Sequence, residues 1–399
     1  MTRPQICDNP TLAAAPTLTP DLFAKDSTMI RSSWQVMRVL LLLVLWTADH
    51  ANAQAVSRAP AGERFAEAIS ASRSSLAEHT QAQLPGFSIA VGVDGKVVWA
   101  EGFGWADLEQ QVPVTSLTRF RIGSVSKPIT AFAIGLLVAD GALDLDAPVQ
   151  EYVASFPDKD HPISTRLAAG HLAGIRHYSG NEFLSATYYP NVVSGLAVFQ
   201  DDPLLSVPGT EFSYSSYGWN LVSAVIESAA EQEFLSYMQE QVFDRLGMIH
   251  TVADYNHHII PQRARPYQRN QDLTFRNAPY VDNSYKWAGG GFLSTPEDMV
   301  RFGLAHLDGV SLDPDIVDLL FTSQKTTDGQ STGYGIGWRS STQGGQRVVG
   351  HGGGSVGGST NLALYPESGI VVAMVSNLSS AQLPNAHAIA RRFAAARTP

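Results

Sequence analysis

Ser124-Val125-Ser126-Lys127 is the one Ser-x-x-Lys in the chain. Three residues of α-helix rotate the chain by roughly 300°, so the two side chains project from nearly the same side, one turn apart. A serine hydroxyl is a poor nucleophile until a base removes its proton. A lysine becomes that base only where burial and neighbouring groups lower its pKa. Ser124 and Lys127 would then supply nucleophile and base from one rigid element. Taken alone, the motif more often marks a helix cap beside a surface charge. Pro128 is tolerated only in the first turn of a helix, which places Ser124 at or just before a helix start. Backbone N–H groups there are free to stabilise an oxyanion.

Two further segments carry candidate groups. In Tyr214-Ser215-Ser216 a phenol beside a lysine could relay a proton to a leaving group. On its own, a buried tyrosine bonded to backbone is the better reading. In His351-Gly352-Gly353-Gly354 the glycines would let a substrate backbone lie against a strand edge. The plain alternative is a hairpin loop with an incidental histidine. Residues 353–357 also match the Gly-x-Ser-x-Gly elbow, and 352–357 match Gly-x-Gly-x-x-Gly, which would suit a nucleotide-binding oxidoreductase. Both motifs require a helix directly afterwards, and a strand-like stretch, 361–365, follows instead. No metal site is expected. His257-His258 and the pair His171 and His177 lack ligand spacing, there is no His-Glu-x-x-His, and Cys7 is the only cysteine.

The elements that must position these groups follow from periodicity. Apolar spacing predicts helices over 63–80, 127–140 (stopped by Gly141), 219–230 and 386–395. Thr295 followed by Pro296 predicts a capped helix start. Strands are predicted over 87–93 and 96–102 around an Asp94-Gly95 turn, and over 346–350, 361–365 and 370–376, with 367–369 as the last turn. Strands at the two ends of the chain can pair into one antiparallel sheet flanked by helices, and the middle, about 148–246, forms a mainly helical lobe. The fold class is α+β.

The chain has 399 residues, 44% hydrophobic and 16% charged, which is enough apolar material for a core and excludes wholesale disorder. Lys plus Arg is 27 against 37 for Asp plus Glu, a net charge of -10, so nucleic acid is not an expected partner. The apolar run 39–46 is too short to span a bilayer, which takes about 20 residues. Arg31 and Arg38 precede it and Ala51-Asn52-Ala53 follows it, the layout of a secretory signal peptide. The expected organisation is an extension and signal over 1–53, the signal proper over about 29–53, and one domain over 60–398. Cleavage after Ala53 would leave a periplasmic or secreted protein with no membrane span and no cysteine.

The order Ser-x-x-Lys, Tyr-x-Ser, His-x-Gly, with an antiparallel hairpin after the last, resembles the serine β-lactamase and penicillin-binding protein superfamily. The class C-like branch is the most similar. Residues 121–127, 143–146, 171–178 and 280–295 resemble the group of mitochondrial serine β-lactamase-like proteins and their bacterial relatives. The resemblance runs over about 65–395 and implies a β-lactamase/transpeptidase-like fold. It implies Ser124 as acylated nucleophile, Lys127 as its base and Tyr214 as proton relay. It also implies Ser216, His351 and Gly353 as substrate-binding positions, and the N–H groups of Ser124 and Gly354 as the oxyanion hole. No cofactor is implied. Two positions depart from the pattern: Ser216 stands where Asn is usual, and His351 stands where Lys is usual. A histidine is mostly neutral near its ordinary pKa of about 6.5, so it gives a substrate carboxylate no fixed charge. Both changes favour peptidase, amidase or esterase chemistry on a small-molecule or peptide substrate over β-lactamase activity proper. A self-assembling scaffold on a hydrolase fold is the other reading, and the resemblance leaves a homo-oligomer open.

Overall fold

Asp94 and Gly95 both take positive φ, 51° and 76°, closing the tight turn that their sequence predicts. They join β1 (Gly86–Val93) to β2 (Lys96–Asp107), and β3 (Val112–Pro113) follows. The computed structural model describes residues 63–80 and 83–397, all within one compact unit. The predicted signal segment, its cleavage site and Cys7 lie outside the described residues. Short strands come next: β4 (Phe120–Arg121), β5 (Val252–Ala253), β6 (Tyr267–Arg269), β7 (Phe275–Asn277) and β8 (Phe292–Ser294). The chain then returns to long strands: β9 (Arg339–Gln343), β10 (Gln346–Ser355), β11 (Gly358–Tyr365) and β12 (Ile370–Ser376).

The main sheet has seven strands in the order β3-β2-β1-β12-β11-β10-β9. First and last hairpins meet where β1 pairs antiparallel with β12, Phe87 opposite Ser376 and Val93 opposite Ile370. This is the end-to-end pairing expected of the sequence. A smaller sheet, β4-β8-β5, lies beside the segment that carries Ser124.

Helices α1 (Ala66–Thr80), α2 (Ser126–Ala139), α3 (Ser216–Ala229), α4 (Pro296–Ala305) and α5 (Ala386–Arg397) complete the frame used below. Alternation in β1 and β12 sorts the core into two layers. Phe87, Ile89, Val91, Ile370, Val372 and Met374 pack with Phe65, Ile69 and Phe393 from the terminal helices. Ala90, Val371, Ala373 and Val375 face the other core, with Val300, Phe302 and the helical lobe. Both faces of β12 are therefore covered, which is why its first six residues, 370–375, read as one unbroken apolar run before Ser376.

Several predicted boundaries move: β2 runs on past 102 to Asp107, and β11 starts at Gly358 rather than at 361. Helix α3 starts at Ser216, three residues before Trp219, because the Ser215 hydroxyl accepts from the Gly218 N–H at 3.1 Å. Strand β10 does not stop at Gly350 but continues through His351 and the glycines to Ser355, and Gly357 (φ 71°) makes the turn into β11. The absence of a helix after these glycines agrees with setting aside the two glycine motifs. The Thr295 cap is formed as predicted, its side chain accepting from Asp298 N at 3.2 Å.

Candidate active site

Ser124 sits in a 3-10 turn, Gly123–Val125, that runs directly into α2. Its placement depends on three contacts of neighbouring residues. The Arg121 guanidinium donates to Asp254 Oδ2 at 2.7 Å and to the Val356 carbonyl at 2.9 Å. Asp254 also accepts from Asn283 Nδ2 at 2.8 Å, which ties the Ser124 segment to the 283–291 segment. Gly123 takes φ 50°, and a Cβ there would overlap the Gly354 carbonyl and lie 2.9 Å from the Gly354 nitrogen. A Cβ on Gly353 would overlap the Ile122 carbonyl and sit 3.3 Å from the Ser124 nitrogen. These glycines let β10 lie against the Ser124 turn, so Ser124 and Gly354 line one cavity.

Lys127 is fully buried on the first turn of α2. Its Nζ is 3.1 Å from Ser124 Oγ, 3.1 Å from Ser216 Oγ and 2.7 Å from the Gly289 carbonyl. Burial, and secondarily the Arg339 charge, hold its pKa well below the ordinary lysine value. A neutral amine has two N–H donors and one lone pair. Gly289 O and Ser216 Oγ take the two donors, which leaves the lone pair for the Ser124 hydroxyl. All three contacts are satisfied by an uncharged lysine.

Tyr214 lies with its ring centroid 5.0 Å from Lys127 Nζ. Burial pushes its phenol up to about 12, while hydrogen bonding with Ser124 and Ser216 and the Arg339 charge work against that rise. The phenol is therefore protonated at neutral pH, a donor adjacent to both Lys127 and Ser124. The segment is held from behind by the loop 171–177. Ser215 N–H donates to His171 Nδ1 at 3.1 Å, Ser216 N–H donates to His177 Nδ1 at 3.1 Å, and Ser215 Oγ donates to the Arg176 carbonyl at 2.6 Å. Both histidines thus hold a loop, and among the described residues no group of three or more His, Cys, Asp or Glu side chains is placed to hold a metal ion.

The cavity in front of Ser124 is about 340 Å³ and is lined by Ser124, Ser216, Lys286, Gly290 and Gly354 among others. A larger cavity of about 900 Å³, bordered by Lys96, Arg245, Glu297 and Arg301, includes none of Ser124, Lys127 or Tyr214. His351 is not on the Ser124 cavity. Its Nδ1–H donates to the Gly352 carbonyl at 2.6 Å, so Nε2 accepts from the Tyr334 hydroxyl at 2.9 Å. Burial first, with the Arg339 charge adding to it, lowers its pKa to about 3. The ring is neutral and both nitrogens are engaged. The structure thus brings Ser124, Lys127, Tyr214, Ser216 and Gly354 together, seats Gly353 behind Ser124, and sets His351 to the Tyr214 side.

Sequence reasoning missed two cations at the site. The exposed Arg339 on edge strand β9 stacks its guanidinium 5.8 Å from the Tyr214 ring and 5.5 Å from the Tyr334 ring. Lys286 is buried in the cavity wall. Neither lies in a pattern that distinguishes it from a solvated charge.

A seven-stranded antiparallel sheet, a helical lobe, and a Ser-x-x-Lys turn wedged against the glycines of β10 define the serine β-lactamase/penicillin-binding protein class of hydrolase fold. The chain belongs to the Beta-lactamase family, whose model matches residues 63–396. It is 33% identical to the mitochondrial serine beta-lactamase-like protein LACTB of Homo sapiens, over 81% of this chain and 79% of that one. It is 28% identical to the D-aminopeptidase of Gluconobacter oxydans, over 77% of this chain and 58% of that one. Among solved structures, the octameric penicillin-binding protein homologue from Pyrococcus abyssi aligns with a TM-score of 0.68 at 27% identity, covering 83% of this chain and 76% of that one. The D-amino acid amidase from Ochrobactrum anthropi SV3 shares the fold, with a TM-score of 0.71 at 22% identity over 83% of this chain and 99% of that one.

Proposed function

We propose that the chain is an exported serine hydrolase that forms an acyl-enzyme on Ser124 and acts on amide or ester bonds of small or peptide substrates. The observation that carries this reading is the buried Lys127 amine 3.1 Å from Ser124 Oγ, with Ser216 Oγ and the Gly289 carbonyl as its two other partners.

Lys127 takes the Ser124 proton as Oγ attacks the carbonyl carbon. The N–H groups of Ser124 and Gly354 receive the oxyanion, a contribution of about 3 kcal/mol per donor. The ammonium formed on Lys127 gives up its proton to the leaving nitrogen or oxygen through Tyr214, whose own proton is transferred and then replaced. Water attacks the acyl carbon as its proton goes to the restored Lys127–Tyr214 pair, and that proton passes to Ser124 Oγ as the bond from the acyl carbon to Oγ breaks. Proton count and charge are the same at the start and end of the cycle.

Amidase and peptidase chemistry is favoured over β-lactam hydrolysis by the neutral His351 where a fixed cation is usual and by Ser216 spent on Lys127. The D-aminopeptidase named above supports the same direction. Purified protein lacking residues 1–53 is assayed against a penicillin, a D-Ala-D-Ala peptide, an L-peptide and a 4-nitrophenyl ester. Turnover of a peptide or ester with little of the penicillin is expected. Efficient penicillin hydrolysis alone would replace this reading with β-lactamase proper.

Export rests on the residue pattern around the 39–46 run, and among the described residues no helix is long and apolar enough to cross a membrane. N-terminal sequencing of the protein made in a bacterial host is expected to begin at Gln54, and an intact N-terminus would remove this part of the proposal. Self-association is supported by the octameric penicillin-binding protein homologue. Light scattering of the same preparation tests it, with a mass above one chain expected.

A further inference from the structure

Among the described residues two lysines are buried, and they differ in one respect. Lys127 has three polar partners, whereas Lys286 Nζ, on a residue only 2% exposed, has none. Lys286 ends the turn Ser284–Lys286, just before the Gly289 whose carbonyl holds Lys127. Its Nζ lies 4.5 Å from the Phe183 ring centroid, 4.9 Å from that of Tyr285 and 5.5 Å from that of Tyr178. The acids of the neighbourhood are already engaged. Asp254 pairs with Arg121 at 2.7 Å and Arg263 at 3.5 Å. Asp282 accepts from Ser284 N at 2.9 Å and Asn256 Nδ2 at 3.2 Å, and Glu182 pairs with Arg176 at 2.7 Å. An ammonium removed from water without an acceptor is strongly unfavourable, and cation–π contact restores only part of the loss. The same residue lines the cavity that holds Ser124.

Resting on the reading that Ser124 is acylated, we propose that Lys286 is the anion subsite of the cleft, and that it receives a carboxylate on the acyl portion of the substrate. The acyl side is assigned because the cavity that Lys286 shares with Ser124 is lined by neither Tyr214, the proposed proton donor to the leaving group, nor Arg339. The incoming carboxylate supplies the acceptor that the amine lacks and displaces the half-buried Phe183 ring, the one nearest Nζ.

Charge at this lysine depends on pH. Burial is the largest influence, the Arg121 charge adds to it, and Asp254 and Asp282 oppose it, leaving the amine at about 7. Tyr178 and Tyr285 stay protonated far above that range. A carboxylate at Nζ raises the value, so binding above about pH 7 takes up a proton and weakens as pH rises. Below it the amine is already charged and affinity is flat.

Glutarate is the probe, with mono-4-nitrophenyl glutarate and its neutral counterpart 4-nitrophenyl valerate as esters. Calorimetry on the wild-type protein, Lys286→Met and Lys286→Gln is expected to show glutarate affinity reduced about 10- to 100-fold in both variants. The ratio of kcat/KM for the glutarate ester to that for the valerate ester falls by the same factor in both variants. Should the Met variant fail to fold, the Gln variant and the wild-type pH dependence still decide. Wild-type glutarate affinity that does not change from about pH 6 to about pH 8.5 overturns the proposal. Equal affinities and equal ester ratios in all three proteins overturn it as well. If glutarate binding depends on Lys286 but neither ester acylates the protein, the subsite stands and the Ser124 acylation reading falls.

Discussion

Replacing Ser216 by Ala isolates the environment of the general base. In the native protein Lys127 Nζ has three partners, and the Ser216 hydroxyl at 3.1 Å is one of them. In the resting state it accepts from a neutral amine, a bond contributing about 1 kcal/mol; once Lys127 carries the serine proton it accepts from an ammonium, a bond of about 1.5–3 kcal/mol. The difference, about 1 kcal/mol or somewhat more, acts only on the charged form. Its loss therefore lowers the lysine pKa further, by about one unit, since one unit is 1.36 kcal/mol. The transition state, in which the ammonium is forming, loses the charged bond while the resting enzyme loses the neutral one, so kcat/KM at the plateau falls by the difference, about 5- to 10-fold. Steady-state hydrolysis of a 4-nitrophenyl ester across pH, with Ser216→Thr as the control that keeps a hydroxyl, reads both effects. The acid limb of kcat/KM is expected to move to lower pH as the plateau drops, and Thr is expected to restore most of the rate. An unchanged plateau, or an acid limb moving upward, would show that Ser216 does not hold the base and would refute the accounting of donors around Lys127.

Arg339→Ala is expected to act in the opposite sense, moving the acid limb to higher pH, because the Arg339 charge helps hold Lys127 low. The guanidinium is exposed, so the shift is small and shrinks as salt is raised. Gly353→Ala places a Cβ against the Ile122 carbonyl behind Ser124. Ester turnover is expected to fall about 100-fold or more as the oxyanion donors are displaced, with stability lowered by about 1–3 kcal/mol in urea unfolding. Asp298 has its pKa raised to about 6, chiefly by burial, so between its unfolded value of 3.8 and about 6 the folded protein binds more protons than the unfolded one. Stability from this group is full below about 4 and is lost as pH rises through about 6. Urea unfolding is therefore expected to show the wild-type protein losing about 1–3 kcal/mol relative to Asp298→Asn over that interval.

The sheet was largely legible because its strands carry local signals. β12 opens with six consecutive apolar residues, and Asp94-Gly95 and Gly369 supply the positive φ that their hairpins need. The extension of β10 to Ser355 was not legible. Three consecutive glycines have no strand propensity, and they are extended here because Ile122 and Ser124 press against them from 230 residues away in the chain, a separation of roughly that size being invisible to local pattern. The Ser124, Lys127 and Tyr214 trio could be proposed from motif order, but the feature that supports the proposed role of Lys127 as base, its burial against Gly289, is tertiary. Lys286 shows the limit most clearly. It sits in a stretch singled out for its resemblance to relatives, yet its cage is assembled from Tyr178, Phe183 and Tyr285, and only the folded chain shows that the amine lacks an acceptor. Arg339 lies on a polar edge strand whose exposed residues offer no periodicity to read.

Intact-protein mass spectrometry after incubation with a fluorophosphonate, followed by peptide mapping, tests the central claim most directly. The account predicts one adduct per chain, located on Ser124, absent from Ser124→Ala, and formed far more slowly in Lys127→Met although that variant remains folded. An adduct that persists in Ser124→Ala, or forms at the native rate without the Lys127 amine, would contradict it.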